Sequence, residues 1–213
     1  MFNLSGKVAI LTGGAGVLGS AMAKGLVQAG AKVGILSRTA SKVQKAVAEI
    51  EAMGGEGLAL IADVLDENQL IDARNKVLRN WGRIDILVNA AGGNMKGATI
   101  MPDQDIFNLS MEDFTKVTDL NLKGTVLPTM VFAKEMAAKK KGCIINISSM
   151  AAQQAITRVV GYSASKAAID NFTKWMAVEM AHKFGEGIRV NAIAPGFFIA
   201  DQNRRLLTNE DGS

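Results

Sequence analysis

The chain has 213 residues, 48% hydrophobic and 21% charged, enough for one domain with a sizeable core and an ordinary soluble composition. A net charge of +4 spread along the sequence, with only 5% aromatic residues, argues against a nucleic-acid partner, whose bases need aromatic stacking surfaces. No apolar run reaches the length of a membrane span, and the opening Met1-Phe2-Asn3-Leu4-Ser5-Gly6-Lys7 lacks the basic-then-apolar order of a signal peptide.

Short apolar runs alternate with longer amphipathic ones. Strands are predicted at residues 8–12, 32–37, 58–63, 84–89, 143–148 and 189–194, nearly continuous in apolar character and so buried on both faces. Helices are predicted between them at residues 18–28, 41–53, 67–81, 111–138 and 162–184. Gly30, Gly54-Gly55 and Gly82 follow the first three helices, as expected just past helix ends. The pattern predicts an α/β, doubly wound Rossmann fold: a parallel sheet of six or more strands with helices on both faces. One domain should occupy residues 1–213, and residues 92–110 form its one long loop. Such a loop beside a strand end is either functional or a plain insertion.

Some residues read as structural. Lys139-Lys140-Lys141 closes a predicted helix, where cations are favourable. His182 has no partner motif, and no metal site is expected. Cys143, the only cysteine, precludes an internal disulfide, points to the cytoplasm, and reads as a small core residue.

After the first strand comes Thr12-Gly13-Gly14-Ala15-Gly16-Val17-Leu18-Gly19. Gly14, Gly16 and Gly19 have GxGxxG spacing between a strand and a helix, the context that a dinucleotide phosphate loop requires. The second strand ends in Ser37-Arg38, without the acid that hydrogen-bonds the adenosine ribose of NAD. A guanidinium there would pair with a 2′-phosphate, so NADP(H) is preferred and NAD(H) is the alternative. Asp63-Val64 ends the third strand, where the carboxylate would accept from the adenine amino group. Asn89-Ala90-Ala91-Gly92 ends the fourth, with room for a planar ring and Asn89 bracing the loop.

Tyr162 and Lys166 stand one helical turn apart in Gly161-Tyr162-Ser163-Ala164-Ser165-Lys166, so phenol and ammonium share a face. A nearby cation favours the phenolate, which should lower the tyrosine pKa and suit it to acid/base work.

Together these residues resemble the short-chain dehydrogenase/reductase family, with Asn121, Ser149 and Pro195-Gly196 completing the match in order and spacing over essentially the whole chain. The resemblance implies that Ser149 hydrogen-bonds the substrate oxygen, Tyr162 exchanges its proton, and Lys166 binds the nicotinamide ribose. It implies also that Asn121 holds a water behind Lys166. Val17 departs from the pattern, standing where the family has a glycine. The chain ends 17 residues after Gly196, so a substrate lid starting near 196 is expected to be incomplete, with its closing part missing.

The stretch from Phe197 through Gln202-Asn203-Arg204-Arg205, with Ala90-Ala91-Gly92-Gly93-Asn94, resembles the D-mannonate oxidoreductase and fructuronate reductase branch. That branch acts on sugar acids and is associated with NAD(H), against the Ser37-Arg38 reading. Asn94, Gln202 and Asn203 would bond substrate hydroxyls. The alternatives are a 3-oxoacyl-thioester reductase and a non-catalytic dinucleotide-binding protein. A small-molecule substrate is expected, with no membrane or nucleic acid, and a homotetramer or homodimer formed through the two long helices.

Overall fold

A computed structural model describes residues 2–156 and 158–197. Its six parallel strands are β1 (Val8–Thr12), β2 (Lys32–Ser37), β3 (Gly57–Ile61), β4 (Ile86–Asn89), β5 (Gly142–Ile147) and β6 (Ile188–Ile193). They lie in the order β3-β2-β1-β4-β5-β6, so the chain reverses direction across the sheet between β1 and β4. A crevice opens at such a switch point, outside the carboxyl ends of the strands.

Helices α1 (Val17–Gln28), α2 (Ala40–Ala52), α3 (Glu67–Trp81), α4 (Met111–Thr118), α5 (Gly124–Lys139) and α6 (Val160–Phe184) cover the sheet. Two apolar clusters result. One packs Ala9, Leu11, Val33 and Ile35 against Ala23, Val27, Val43 and Ile50 of α1 and α2. The other packs Ile10, Leu36, Leu60 and Leu87 against Leu70, Val77, Phe132 and Met136 of α3 and α5. Alternate strand residues face opposite clusters, as the pleat requires, which is why the strands read as unbroken apolar runs. None of the described helices is long and apolar enough to cross a membrane.

The predicted strands at 58–63 and 84–89 are shorter in the structure, because Ala62-Asp63 and Ile84-Asp85 lie in the turns flanking β3 and β4. The larger difference concerns the predicted helix at 111–138. It is interrupted by a π turn at Asp119–Lys123, between α4 and α5. A wider turn inserts one residue and redirects the side chains beside it, and here it buries Asn121 completely. Periodicity alone cannot locate such a turn, since the apolar spacing resumes after it. The Lys139-Lys140-Lys141 cluster does close α5, with Lys140 as its left-handed C-cap.

At the amino-terminal edge of the sheet, Asp85 accepts from Val8 N (2.9 Å) and from Arg83 Nε and Nη2 (2.8 and 2.7 Å). Burial works against its ionisation, but the Arg83 fork and the Val8 N–H outweigh it and hold the carboxyl below its usual range. The native state thus favours the carboxylate: its contribution is complete above the unfolded carboxyl pKa and is lost as pH falls through the lower folded value. Asp85→Asn should cost about 1–3 kcal/mol at neutral pH and flatten the acid limb of stability below pH ~4, as read by urea unfolding at several pH values.

Candidate active site

A cavity of about 480 Å³ opens at the switch point, bounded by residues 13 and 15–19, the end of β2 and its turn, residues 90–93, the end of β5, and Tyr162, Lys166, Pro195 and Gly196. At one end lies the glycine loop. Gly13 has φ +66°, and a Cβ on it would meet Ala90 O at 2.8 Å. A Cβ on Gly19 would run into Gly13 O. Both positions therefore demand glycine, one for backbone conformation and close approach, the other for packing of α1 on the loop. Gly16 caps α1 with no side-chain bond to its first N–H groups, so these donors face the cavity and suit an anion. Val17, the departure from the family pattern, is the first residue of α1 and does not have a positive φ. Its side chain is largely exposed, so the valine costs the loop nothing.

Leu36, Ser37, Arg38, Thr39 and Lys42 line the end beyond β2. Lys42 adds a second cation there that sequence reading missed. Arg38 Nη1 lies 3.6 Å from Asp63 Oδ2, and Asp63 Oδ1 accepts from Leu65 N at 2.9 Å. The Asp63 carboxylate is thus turned to the chain's own groups, and the wall is built by Ala62 and Val64 instead. The expected acceptor for an adenine amino group is not on the lining.

Asn89 was expected to brace the loop after β4; it does not. Its Nδ2 donates to Thr129 Oγ1 (2.8 Å) and Asn146 Oδ1 (2.9 Å), tying β4 to α5 and β5. The loop is braced by Thr12, whose Oγ1 accepts from both Ala90 N and Ala91 N at 3.1 Å. Asn121 holds the next residues: its Nδ2 donates to Gly93 O (2.7 Å) and its Oδ1 accepts from Gly93 N (3.1 Å). Nothing but the location of Thr12 at a strand end could have signalled its role.

At the other end are Ser149, Tyr162 and Lys166. Lys166 is 4% exposed and its Nζ donates to Ile147 O at 2.7 Å, 5.4 Å from the centre of the Tyr162 ring. Burial pushes the ammonium down to about 8, opposed only in part by Asp170 one turn further along α6. Burial also pushes the Tyr162 phenol up, with a hydrogen bond to Ser149 acting against it. This corrects the sequence expectation of a lowered tyrosine pKa: Tyr162 is half-buried beside the buried Lys166, and the loss of water around the phenol outweighs the Ser149 hydrogen bond that favours the phenolate. Ser149 Oγ also accepts from Ala151 N at 3.2 Å, capping a short 3₁₀ turn. Pro195 O accepts from Met150 N at 3.1 Å, which holds the Pro195-Gly196 segment against the same turn.

Asn94 stands just outside this cavity, its Nδ2 donating to Thr99 Oγ1 at 2.7 Å and its buried Oδ1 without a hydrogen-bond partner among the described residues. Gln202 and Asn203 lie outside the described residues.

A sheet in this order, a bare helix N-terminus at its switch point, and a serine, tyrosine and lysine beside it define a dinucleotide-dependent oxidoreductase site. Residues 7–211 match the short chain dehydrogenase family model, and the chain belongs to that family of oxidoreductases. It is 47% identical to an uncharacterized oxidoreductase, UxuB, of Bacillus subtilis, covering 99% of this chain and 78% of that one. A putative D-mannonate oxidoreductase from Haemophilus influenza with bound NAD superposes with a TM-score of 0.91 at 40% identity, over 99% of this chain and 78% of that one. These two relatives set it in the mannonate-oxidoreductase-like branch of the family. A 3-oxoacyl-[acyl-carrier-protein] reductase of Synechocystis is 37% identical over 97% of this chain and 80% of that protein.

Lys166 yields a stability test. Its ammonium is disfavoured in the native state, so below pH 8 both states are protonated and the penalty stands in full. Between about 8 and the unfolded value of 10.5 only the unfolded state keeps the proton, and native stability rises. The unfolding free energy of the cofactor-free protein should therefore gain up to about 3 kcal/mol on Lys166→Met as pH rises through that window. Parallel denaturation series on the two proteins measure it.

Proposed function

We propose that this enzyme transfers a hydride between a nicotinamide dinucleotide and a sugar acid, interconverting a keto-uronate and the corresponding aldonate. The observation that carries the reading is the convergence of Ser149, Tyr162 and Lys166 on one cavity with the uncapped N-terminus of α1. The substrate class rests on likeness to the Haemophilus protein, a putative D-mannonate oxidoreductase.

The cavity fits a dinucleotide. Its volume is within the usual range for such ligands, and its glycine cradle would be filled by any Cβ at Gly13 or Gly19. Gly13, Gly14, Gly16 and the first N–H groups of α1 would hold the pyrophosphate, with Val17, Leu18 and Gly19 beside them. Val64 and Ala90 would flank the adenine, and Gly92, Pro195 and Gly196 the nicotinamide. A bound nicotinamide supplies or receives the hydride; the chain's own groups manage geometry and the proton.

In reduction, Ser149 Oγ donates to the substrate carbonyl oxygen and Tyr162 Oη releases its proton to that oxygen as negative charge develops. A phenol held protonated by burial suits this direction. In oxidation the phenolate must form first, and the Lys166 ammonium offsets the cost of charging it. Lys166 would also hold the nicotinamide ribose. Asn121 would hold a water behind Lys166: a Cβ on Gly92 would lie 2.6 Å from Asn121 Oδ1 and 3.5 Å from Lys166 Nζ, so the two side chains meet across that glycine.

NADP(H) remains ahead of NAD(H) in this proposal, although the Haemophilus relative holds NAD. The ion pair of Arg38 with Asp63 is long and exposed, worth little on its own, so the guanidinium can turn to a 2′-phosphate beside Lys42. Arg38→Ala should weaken NADPH roughly ten- to a hundredfold while leaving NADH nearly untouched. Fluorescence titration of both cofactors measures this, and equal losses would refute the phosphate pairing.

Tyr162→Phe should lower turnover by at least roughly a hundredfold with cofactor affinity retained. Substrate identity is tested by following NAD(P)H absorbance with keto-uronates, neutral sugars and acetoacetyl thioesters. Preference for the thioester would favour the second reading, a 3-oxoacyl reductase, which the Synechocystis relative supports.

Assembly as a homotetramer or homodimer in the cytoplasm completes the proposal. Met130 on α5 and Trp175 and Val178 on α6 are each more than half exposed, a costly arrangement unless a second copy covers them. Sedimentation as a monomer alone would overturn it.

A further inference from the structure

Residues 94–109 leave the sheet after β4 and return at Ser110, the N-cap of α4. They fold around a cavity of about 310 Å³ bounded by Lys96, Ile100, Met101, Gln104 and Leu109 among others. Ile106 is half exposed and Phe107 92% exposed, so only part of the segment's apolar surface is packed. Hydrogen bonds must therefore do much of the positioning. Most of them close within the segment: Asn94 to Thr99, Thr99 to Met95, Met101 to Gln104, and Asp105 to Asn108.

Among the described residues, the hydrogen bonds that leave 94–109 for the rest of the chain run to one residue, Arg158. Ile100 N donates to Arg158 O at 2.9 Å. Arg158 Nε donates to Ile100 O, also at 2.9 Å, and its Nη2 reaches Met101 Sδ at 3.6 Å. Arg158 makes these contacts with φ +75°, a conformation unusual for a residue with a side chain. Holding it costs free energy, which the three contacts offset. Arg158 lies just before α6, one turn ahead of Tyr162. The segment it grips follows Gly93, which lines the candidate active site, and opens with Asn94, whose buried Oδ1 has no hydrogen-bond partner among the described residues.

We infer that Arg158 is a positioning residue that fixes the 94–109 loop to the catalytic helix, so that Asn94 and its neighbours form a defined wall on the substrate side of the Tyr162 hydroxyl. The inference rests on the oxidoreductase reading above for what the wall contacts. The fork geometry matters: a guanidinium bonds the Ile100 carbonyl and reaches Met101 together, whereas an ammonium makes one bond in no fixed direction. The role is in substrate binding rather than proton transfer, because Arg158 touches neither Tyr162 nor Lys166.

The test uses the full chain carrying Arg158→Ala, Arg158→Gly and Arg158→Lys. The glycine variant removes the backbone strain as well as the guanidinium, so it folds at least as readily as the alanine one and separates strain from grip. Amide exchange over residues 95–101 should rise roughly ten- to a hundredfold in the alanine and glycine variants. Protection within α6 and the affinity for NADPH should stay at the unmodified protein's values. With D-fructuronate, KM should rise at least several-fold in both while kcat and its pH profile hold, and the lysine variant should restore only part of the loss. Unchanged loop exchange, or a fall in kcat with KM constant, would overturn the inference. An unmodified protein that binds NADPH but reduces no keto-uronate with NADPH or NADH would sink the proposed substrate instead, and the exchange comparison would still decide the role of Arg158.

Discussion

Lys166 carries its charge into a place where, among the described residues, one backbone carbonyl, that of Ile147, receives it, and much of the site follows from accommodating that ammonium. The carbonyl belongs to the last residue of β5, so the bond ties α6 to the sheet beside the cavity. One turn back along the same face, it sets Tyr162 next to Ser149. A buried cation with so few partners is costly. A ligand offering hydroxyl groups to the ammonium, and negative charge developing on the phenol, would both relieve the strain. The apoprotein is in this sense built for its occupied state, in keeping with the tendency of functional sites to be locally unstable.

The second constraint is the π turn. Had α4 and α5 run as one regular helix, Asn121 would have fallen elsewhere on the helix surface. The wider turn buries it and leaves its carboxamide free to grip Gly93 on both sides, while its own carbonyl accepts from Thr125 Oγ1. The same side chain also donates to Val117 O, a backbone acceptor within the preceding turn. The irregularity is thus hydrogen-bonded internally and held by the loop it positions.

From Thr125 a line of buried polar groups crosses the molecule. Thr129 Oγ1 donates back to Thr125 O, Asn89 bridges Thr129 and Asn146, and Asn146 Nδ2 donates to Thr173 Oγ1 on α6. These bonds link α5, β4, β5 and α6 through a region that apolar packing alone would leave free to slide. They hold the helix carrying Tyr162 and the turn carrying Asn121 at a set separation. Loop 94–109 is then fastened at Ile100 through Arg158, and Gly93, the residue that precedes it, is held by Asn121.

How much of this was legible in the sequence follows from the range of each interaction. The strands, helices α1, α2, α3 and α6, and the glycine loop were readable because periodicity and Gly13, Gly14, Gly16 and Gly19 act over a few residues. Ser149, Tyr162 and Lys166 were readable as a set, and the structure brings them to one cavity. What the residues alone could not say was which partners would meet across the sheet. Asn89 bonds Thr129 and Asn146 rather than its own loop, and Thr12 takes over the loop, because the crossing of β1 and β4 decides who is adjacent. Asp63 meets Arg38 because β2 and β3 pair in register and bring their ends together, and it accepts from Leu65 N within its own turn. The direction of the Tyr162 pKa depended on depth of burial, which one turn of helix cannot reveal. Local chemistry and pattern were thus written in the chain, whereas contacts between segments far apart in sequence, and the loss of water around them, were decided only when the sheet closed beneath its helices.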